Sequence, residues 1–306
     1  MILSIIICTY NRVRLLPYCI DSIFNQNYDK NDIEIIFIDN NSTDGSGDYF
    51  KNLMDKDPRF TFKYFLETKQ GLSYARNRGI QESIGKYVAF VDDDAIMKED
   101  YFQKISDFIY QHPKCQAFGG IINVHFESTP PRWENKYINT MFGYYYRGNE
   151  SFIYKNSDYP RGSNMIFLKT LFDEVGIFNP KLGRIKRGLQ GNEEKDLFQR
   201  IYAKRHIVRY DPNLIVDHIA PPERTEISFV KRQATGTGNS ERIRTQELGL
   251  FYYIKALILE SLKWIATFLL AILYFFKLTP MKGIILIRFR YWISSGLVGK
   301  IGVSEI

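Results

Sequence analysis

The run Ala89-Phe90-Val91-Asp92-Asp93-Asp94-Ala95 carries an apolar segment straight into three consecutive carboxylates. Like charges at this spacing repel, so the arrangement is unfavourable unless a cation sits among them. Alternation along an extended backbone puts Asp92 and Asp94 on one side and Asp93 on the other. Two carboxylates on one side suit a hard divalent cation, magnesium or manganese, of the kind that bridges to phosphate oxygens. On these letters alone the blander reading is the stronger one, with Asp94 capping a helix that begins near Met97. Three other stretches carry reactive groups. Gly71 to Gly79, GLSYARNRG, sets Arg76 and Arg78 among small residues. Such arginines neutralise a diphosphate or simply form a solvated basic face. Glu193 and Glu194 open a helical pattern, where carboxylates suit the helix dipole or serve as a general base. His218, after Asp217, is either a core histidine or a third metal ligand.

These groups need elements that bring them together. Ile2–Cys8, Ile33–Ile38, Phe60–Phe65 and Tyr87–Val91 are short apolar runs of the kind found in strands buried on both faces. Helical patterns separate them, including Ser73–Ser83 and Met97–Gln111. Strands alternating with helices predict an α/β fold with a parallel sheet whose binding rim lies at the carboxyl ends of the strands. Thr9-Tyr10-Asn11-Arg12, Asp39 to Asp44, and Asp92 to Asp94 would all collect on that rim. The middle of the chain is less regular, with aromatic patches at Trp133, Tyr137 and Tyr144–Tyr146. Ser163–Leu168 and Leu214–Val216 read as strands and Glu193–Tyr202 as a helix.

The 306 residues suffice for one large domain with an appendage. Three unpatterned cysteines, Cys8, Cys19 and Cys115, point to free thiols in a reducing compartment. The net charge of +7 is uneven: from Glu226 onward, eleven Lys or Arg face five Glu. That tail is also strongly apolar, which favours an anionic membrane surface and argues against nucleic acid. Trp264–Phe276 carries no charge, but at about 20 Å of helix it falls short of a ~30 Å hydrocarbon core. Lys255, Glu260, Lys263, Thr267 and Lys277 fall within an arc of roughly 140° on a helical wheel. The expectation is an amphipathic helix lying in the membrane plane, with a packed helix or a true span as alternatives.

Taken in order, IIICTYNR, FIDNNSTDGS, GLSYARNRGI, VAFVDDDA, PRGSNMIF and GNEEKDLFQRI resemble the inverting family 2 glycosyltransferases of the GT-A fold. The resemblance covers about residues 2–240 and rests on the order of six segments. It implies a GT-A (nucleotide-diphospho-sugar transferase) fold: one mixed, mostly parallel sheet flanked by helices. Residues 1–225 would form the catalytic domain, with a nucleotide half to 112 and an acceptor half from 113, and 226–306 a helical membrane-associating region.

The resemblance also implies roles. Thr9, Tyr10, Arg12, Asp39, Asp44, Arg76, Asp92 and Asp93 match nucleotide-binding positions, with Tyr10 stacking on the base and Asp39 bonding it. Asp94, with Asp92 and His218, matches the metal site for Mn2+ or Mg2+. Gly162, Ser163 and Asn164 match the sugar-pocket segment, to which Trp133 is added as a stacking surface. Glu194, with Glu193 second, matches the catalytic base, although many members carry Asp there, one methylene shorter. The implied partners are a nucleotide-sugar donor, expected to be a UDP-sugar, and a lipid-linked glycan acceptor on the cytoplasmic face of the inner membrane. The alternatives are transfer to a polyprenyl phosphate, which needs no base, or a non-catalytic membrane-bound nucleotide-sugar binding protein. A nucleotidyltransferase is disfavoured, since no glycine-rich loop opens the chain and Thr235-Gly236-Thr237-Gly238 lies too late.

Overall fold

The computed structural model describes residues 2–28, 32–53, 57–155, 158–184 and 191–299. The chain divides into two compact units. One comprises Met1–His125, Gly143–Pro180 and Glu194–Ile219; the other comprises Phe126–Phe142, Lys181–Glu193 and Ala220–Ile306.

The first unit follows from its apolar runs. β1 (Leu3–Thr9), β2 (Ile33–Asp39), β3 (Thr61–Leu66) and β4 (Tyr87–Asp92) pair in parallel in the order β3-β2-β1-β4. Every residue of β2 is buried, and β1 is nearly so, because helices cover both faces of a parallel sheet. Those crossovers include α1 (Leu16–Phe24), α2 (Ser46–Lys51) and α3 (Leu72–Glu82). Beyond β4 the sheet turns antiparallel. β5 (Ala95–Met97) is followed by α4 (Tyr101–Gln111), β6 (Ala117–Phe126), β7 (Phe152–Ile153) and β8 (Met165–Leu168). Then come α5 (Leu171–Val175), α6 (Glu193–Ala203) and β9 (Val208–Ala220). β8 pairs antiparallel with β4 and β6, and β9 with β5 and β7. The sheet is mixed as expected, but its parallel part is confined to the first four strands.

The register positions the rim. Thr9 lies opposite Asp39, and Cys8 opposite Asp92. Three polar strand ends that are far apart in sequence are therefore neighbours across adjacent strands. The expected helix from Met97 begins instead at Tyr101, after β5 has paired Ala95 with His218 and Met97 with Val216. Asp94 is thus no helix cap: a strand separates it from α4. The three cysteines are free thiols, and burial pushes the Cys115 thiol up to about 12.

The second unit carries three long helices, α7 (Ile227–Leu248), α8 (Leu250–Phe276) and α9 (Pro280–Val298). α9 packs against both of the others. The late glycines serve this packing: a Cβ on Gly238 would lie 2.0 Å from the Ile293 carbonyl oxygen, and one on Gly296 2.2 Å from that of Thr235. Trp133 also belongs to this unit. It is 8% exposed and stacks on Phe142 at 6.0 Å between ring centroids, so it is a core residue and not a sugar platform.

The polar stripe expected on α8 divides between two environments. Glu260 and Thr267 are buried, and they meet α9 through Arg290. Lys255, Lys263 and Lys277 of the same stripe stay exposed, so only its Glu260 and Thr267 face α9.

Candidate active site

Each strand end contributes a different kind of group. β4 ends at Asp92, and Asp93 and Asp94 form a turn before β5. The turn, more than extended alternation, separates the three side chains. Asp93 is buried and accepts a hydrogen bond from Thr9 Oγ1 at 2.6 Å. Burial pushes its carboxyl up to about 7, with the Asp94 charge adding to the rise and Arg12 and the Thr9 bond opposing it. Asp94 is 1% exposed, ion-pairs with Arg12 Nη1, and lies 3.1 Å from His218 Nε2 through Oδ1. Arg12 Nη1 also lies 3.6 Å from Asp93 Oδ1.

Asp92, Asp94 and His218 converge: each offers a ligand atom, and those atoms lie within 4.8 Å of one another. Two carboxylate oxygens and an imidazole nitrogen suit manganese well and magnesium acceptably. The donor set therefore fits a divalent cation. His218 is held from behind by Gly143, whose φ of +98° favours glycine and where a Cβ would lie 2.9 Å from the imidazole ring. Gly143→Ala is expected to push the ring off its position and weaken manganese affinity by about tenfold, as for other residues that orient a ligand. Calorimetric titration with manganese checks it, and unchanged affinity would remove Gly143 from the site.

The next group bridges the cluster to α6. Arg76, on α3, is 2% exposed and sits against the rings of Phe90 at 5.8 Å and Phe178 at 5.3 Å. Its two terminal nitrogens each lie 3.3 Å from Glu194 Oε1, and Nη2 is 3.8 Å from Asp92 Oδ1. Gly162 makes the meeting possible, because a Cβ there would lie 2.3 Å from Glu194 Oε1 and 2.6 Å from Arg76 Nη2. Ser163 Oγ donates to Asp92 Oδ2 at 2.6 Å. Arg76, expected from sequence at the nucleotide, thus pairs with the candidate base. Glu193 is buried, whereas Glu194 is partly exposed.

The remaining expected residues divide. Tyr10 follows β1 at the rim and is half-buried. Asp39 accepts from the Ser42 N–H at 2.8 Å and from the Tyr64 hydroxyl at 3.1 Å. Asp44 accepts from the Val13 N–H at 2.9 Å and from both the N–H and the hydroxyl of Ser46. Burial opposes ionisation there, but the Ser46 and Val13 bonds hold the Asp44 carboxyl below its ordinary range. Its carboxylate stitches the loop after β2 to the loop after β1, a scaffolding task. Asn164 is corrected outright. It is fully buried, its Nδ2 donates to the carbonyls of Ile121 and Leu214, and its Oδ1 accepts from Tyr101. Its amide is spent on bonds within the core. Gly143 was missed because its partner lies 75 residues on and nothing local marks it.

The sequence profile of glycosyl transferase family 2 matches residues 4–176, more than half of the chain. The chain belongs to glycosyl transferase family 2. Among relatives of family 2, the glucosyl-dolichyl phosphate glucuronosyltransferase of Haloferax volcanii is 25% identical over 79% of this chain and 77% of its own length. The GalNAc(5)-diNAcBac-PP-undecaprenol beta-1,3-glucosyltransferase of Campylobacter jejuni is 44% identical over 30% of this chain and 29% of its own. The chain spans less than half the length of several curated relatives, 16% of one and 46% of another. The mannosyltransferase PcManGT from Pyrobaculum calidifontis, solved with GDP-Man and Mn2+, superposes with a TM-score of 0.63 at 16% identity, covering 98% of this chain and 88% of that one. The fold is GT-A, and Asp92-Asp93-Asp94 is a family 2 acidic cluster of the DxD kind.

Proposed function

We propose that the chain transfers a sugar, with inversion, from a nucleoside-diphosphate sugar to a hydroxyl of a lipid-linked glycan in surface polysaccharide synthesis. The observation that carries this reading is the single guanidinium of Arg76 lying between Asp92 of the acidic cluster and Glu194. Such an arrangement suits a donor site and a general base that act on the same reacting carbon.

Glu194 takes the proton from the acceptor hydroxyl. The acceptor oxygen forms a bond to the anomeric carbon as the bond to the diphosphate breaks on the opposite face. The electron pair leaves with the nucleoside diphosphate, and the configuration inverts. Asp92, Asp94 and His218 would hold a divalent cation, which would supply positive charge to stabilise the leaving diphosphate. Tyr10, Asp39 and Arg12 are assigned to the nucleotide, with UDP as the expected carrier.

The lipid-linked acceptor draws support from relatives named for dolichyl- and undecaprenol-linked substrates. The basic, apolar tail suits attachment at the cytoplasmic face of an inner membrane. The test is a screen of UDP- and GDP-sugars with manganese and undecaprenyl-diphosphate glycans, scored by release of nucleoside diphosphate. Acceptor-dependent release is expected. Donor and metal binding without release from any acceptor would leave a binding protein in its place.

A further inference from the structure

α8 and α9 form a hairpin whose polarity is inverted relative to a water-soluble helix pair. Between them runs a polar seam. Arg290 Nη1 lies 3.1 Å and 3.2 Å from the two Glu260 oxygens, and its Nε lies 3.3 Å from Thr267 Oγ1. Ser294 Oγ lies 3.2 Å from Glu260 Oε1 and accepts from Trp264 Nε1 at 3.1 Å. Beyond the seam Gly283 lets the helices touch, since a Cβ there would lie 3.0 Å from the Ala271 backbone.

The outer surface is the reverse. From Trp264 to Phe276, every exposed residue of α8 is apolar, including Ile265, Phe268, Leu269, Ile272, Leu273 and Phe275. At ~100° per residue, these cover about half of the helix circumference. Among the described residues α8 is the helix long and apolar enough to cross a bilayer, and 11% of its most apolar stretch is buried. A core helix of a soluble domain would be mostly covered. A helix lying flat in the headgroup layer shows a polar face to water, and here the polar groups are spent in the seam.

The exposed cations bracket this belt. Lys263 and Arg288 lie at one level of the antiparallel pair, and Lys277 stands at the tip. The belt between Lys263 and Lys277 is about 20 Å long. Lysines that snorkel from its two ends extend its reach towards the ~30 Å of a hydrocarbon core. Inward-facing, mutually paired polar groups and outward apolar ones are the pattern of helices solvated by lipid.

We propose that the distal hairpin, residues 264–287, is inserted into the lipid bilayer and closed around the Glu260–Arg290 seam. This deepens the membrane-attachment part of the proposed function and rests on no assignment of donor or acceptor. Insertion is set by the apolar belt, with anionic lipid as an aid.

The test is flotation of the full chain, without donor, acceptor or metal, on vesicles of phosphatidylcholine alone and of phosphatidylcholine with phosphatidylglycerol. Binding to both, and retention after a high-salt wash, is expected. Ile272→Asp near the centre of the exposed arc, and Leu273→Asp and Phe275→Asp at its two edges, are each expected to lower the vesicle-bound fraction at least about tenfold. Circular dichroism and nucleotide binding should stay unchanged, which separates this result from unfolding. Release by salt, or binding confined to the anionic vesicles, would reduce the hairpin to an electrostatic contact and overturn the proposal. So would wild-type binding by either edge variant, the result for a helix lying flat. A vesicle-free dimer that fails to float would assign the apolar face to a second copy instead. Because no sugar transfer is measured, a failed acceptor screen leaves this result standing.

Discussion

Glu194→Gln is expected to lower kcat by about 10²–10⁴ while leaving nucleoside diphosphate affinity unchanged. Glutamine keeps the length and outline of the side chain but has no basic oxygen to accept a proton. The fold should tolerate it, because Glu194 is partly exposed at the start of α6 and Arg76 retains Asp92 as a second neighbour. Glu193→Gln is expected to change kcat by no more than a few-fold. Steady-state kinetics beside a donor-binding titration separate the chemical step from binding. Full activity in Glu194→Gln would remove the hydroxyl acceptor from the mechanism and favour a phosphate acceptor, which arrives already ionised.

The second large effect belongs to Asp94. Asp94→Asn is expected to reduce turnover by about 10²–10³, the range seen when one preorganised charge facing a leaving group is lost. A manganese titration should show weakened affinity in parallel. Asp94 is also the buried partner of Arg12 and His218, so part of the loss can come from a disturbed loop. Thermal unfolding of the variant, and the companion Asp93→Asn, resolve this. Asp93 points to Thr9 and not to His218, so its substitution should disturb the loop while leaving manganese affinity closer to that of the parent. Equal manganese affinities in Asp94→Asn and the parent protein would take Asp94 out of the metal site.

Much of the rim was legible because its logic is local. A buried parallel strand is a continuous apolar run, and the residue at which the run breaks marks the rim. Thr9, Asp39 and Asp92 were placed in this way, and the pairing of β1 with β2 and β4 puts them side by side. What stayed hidden depends on partners remote in sequence. β5 is three residues long and exists because β9 pairs with it, so no local pattern marks it and its last residue, Met97, reads as the start of the following helix. β9 spans thirteen residues but was read as Leu214–Val216, because Asp211, Pro212 and Asn213 interrupt its apolar pattern. Asn164 sits in a segment of the family motif yet serves the core, a distinction that only its three internal partners reveal. Of the α8 stripe, Glu260 and Thr267 turn towards α9 while its lysines stay exposed, a division that a wheel cannot show because it gives the face and not what the face meets.

The guanidinium of Arg76 has a bearing on how any measurement at this rim is read. Asp92 and Glu194 lie far apart in the chain, yet both lean on that one cation, which the rings of Phe90 and Phe178 fix in place. Removing either acid changes the field at the other, so their effects do not add. A double-mutant cycle across the pair is therefore the proper unit of measurement. Donor-side and acceptor-side chemistry share a common ledger of charge.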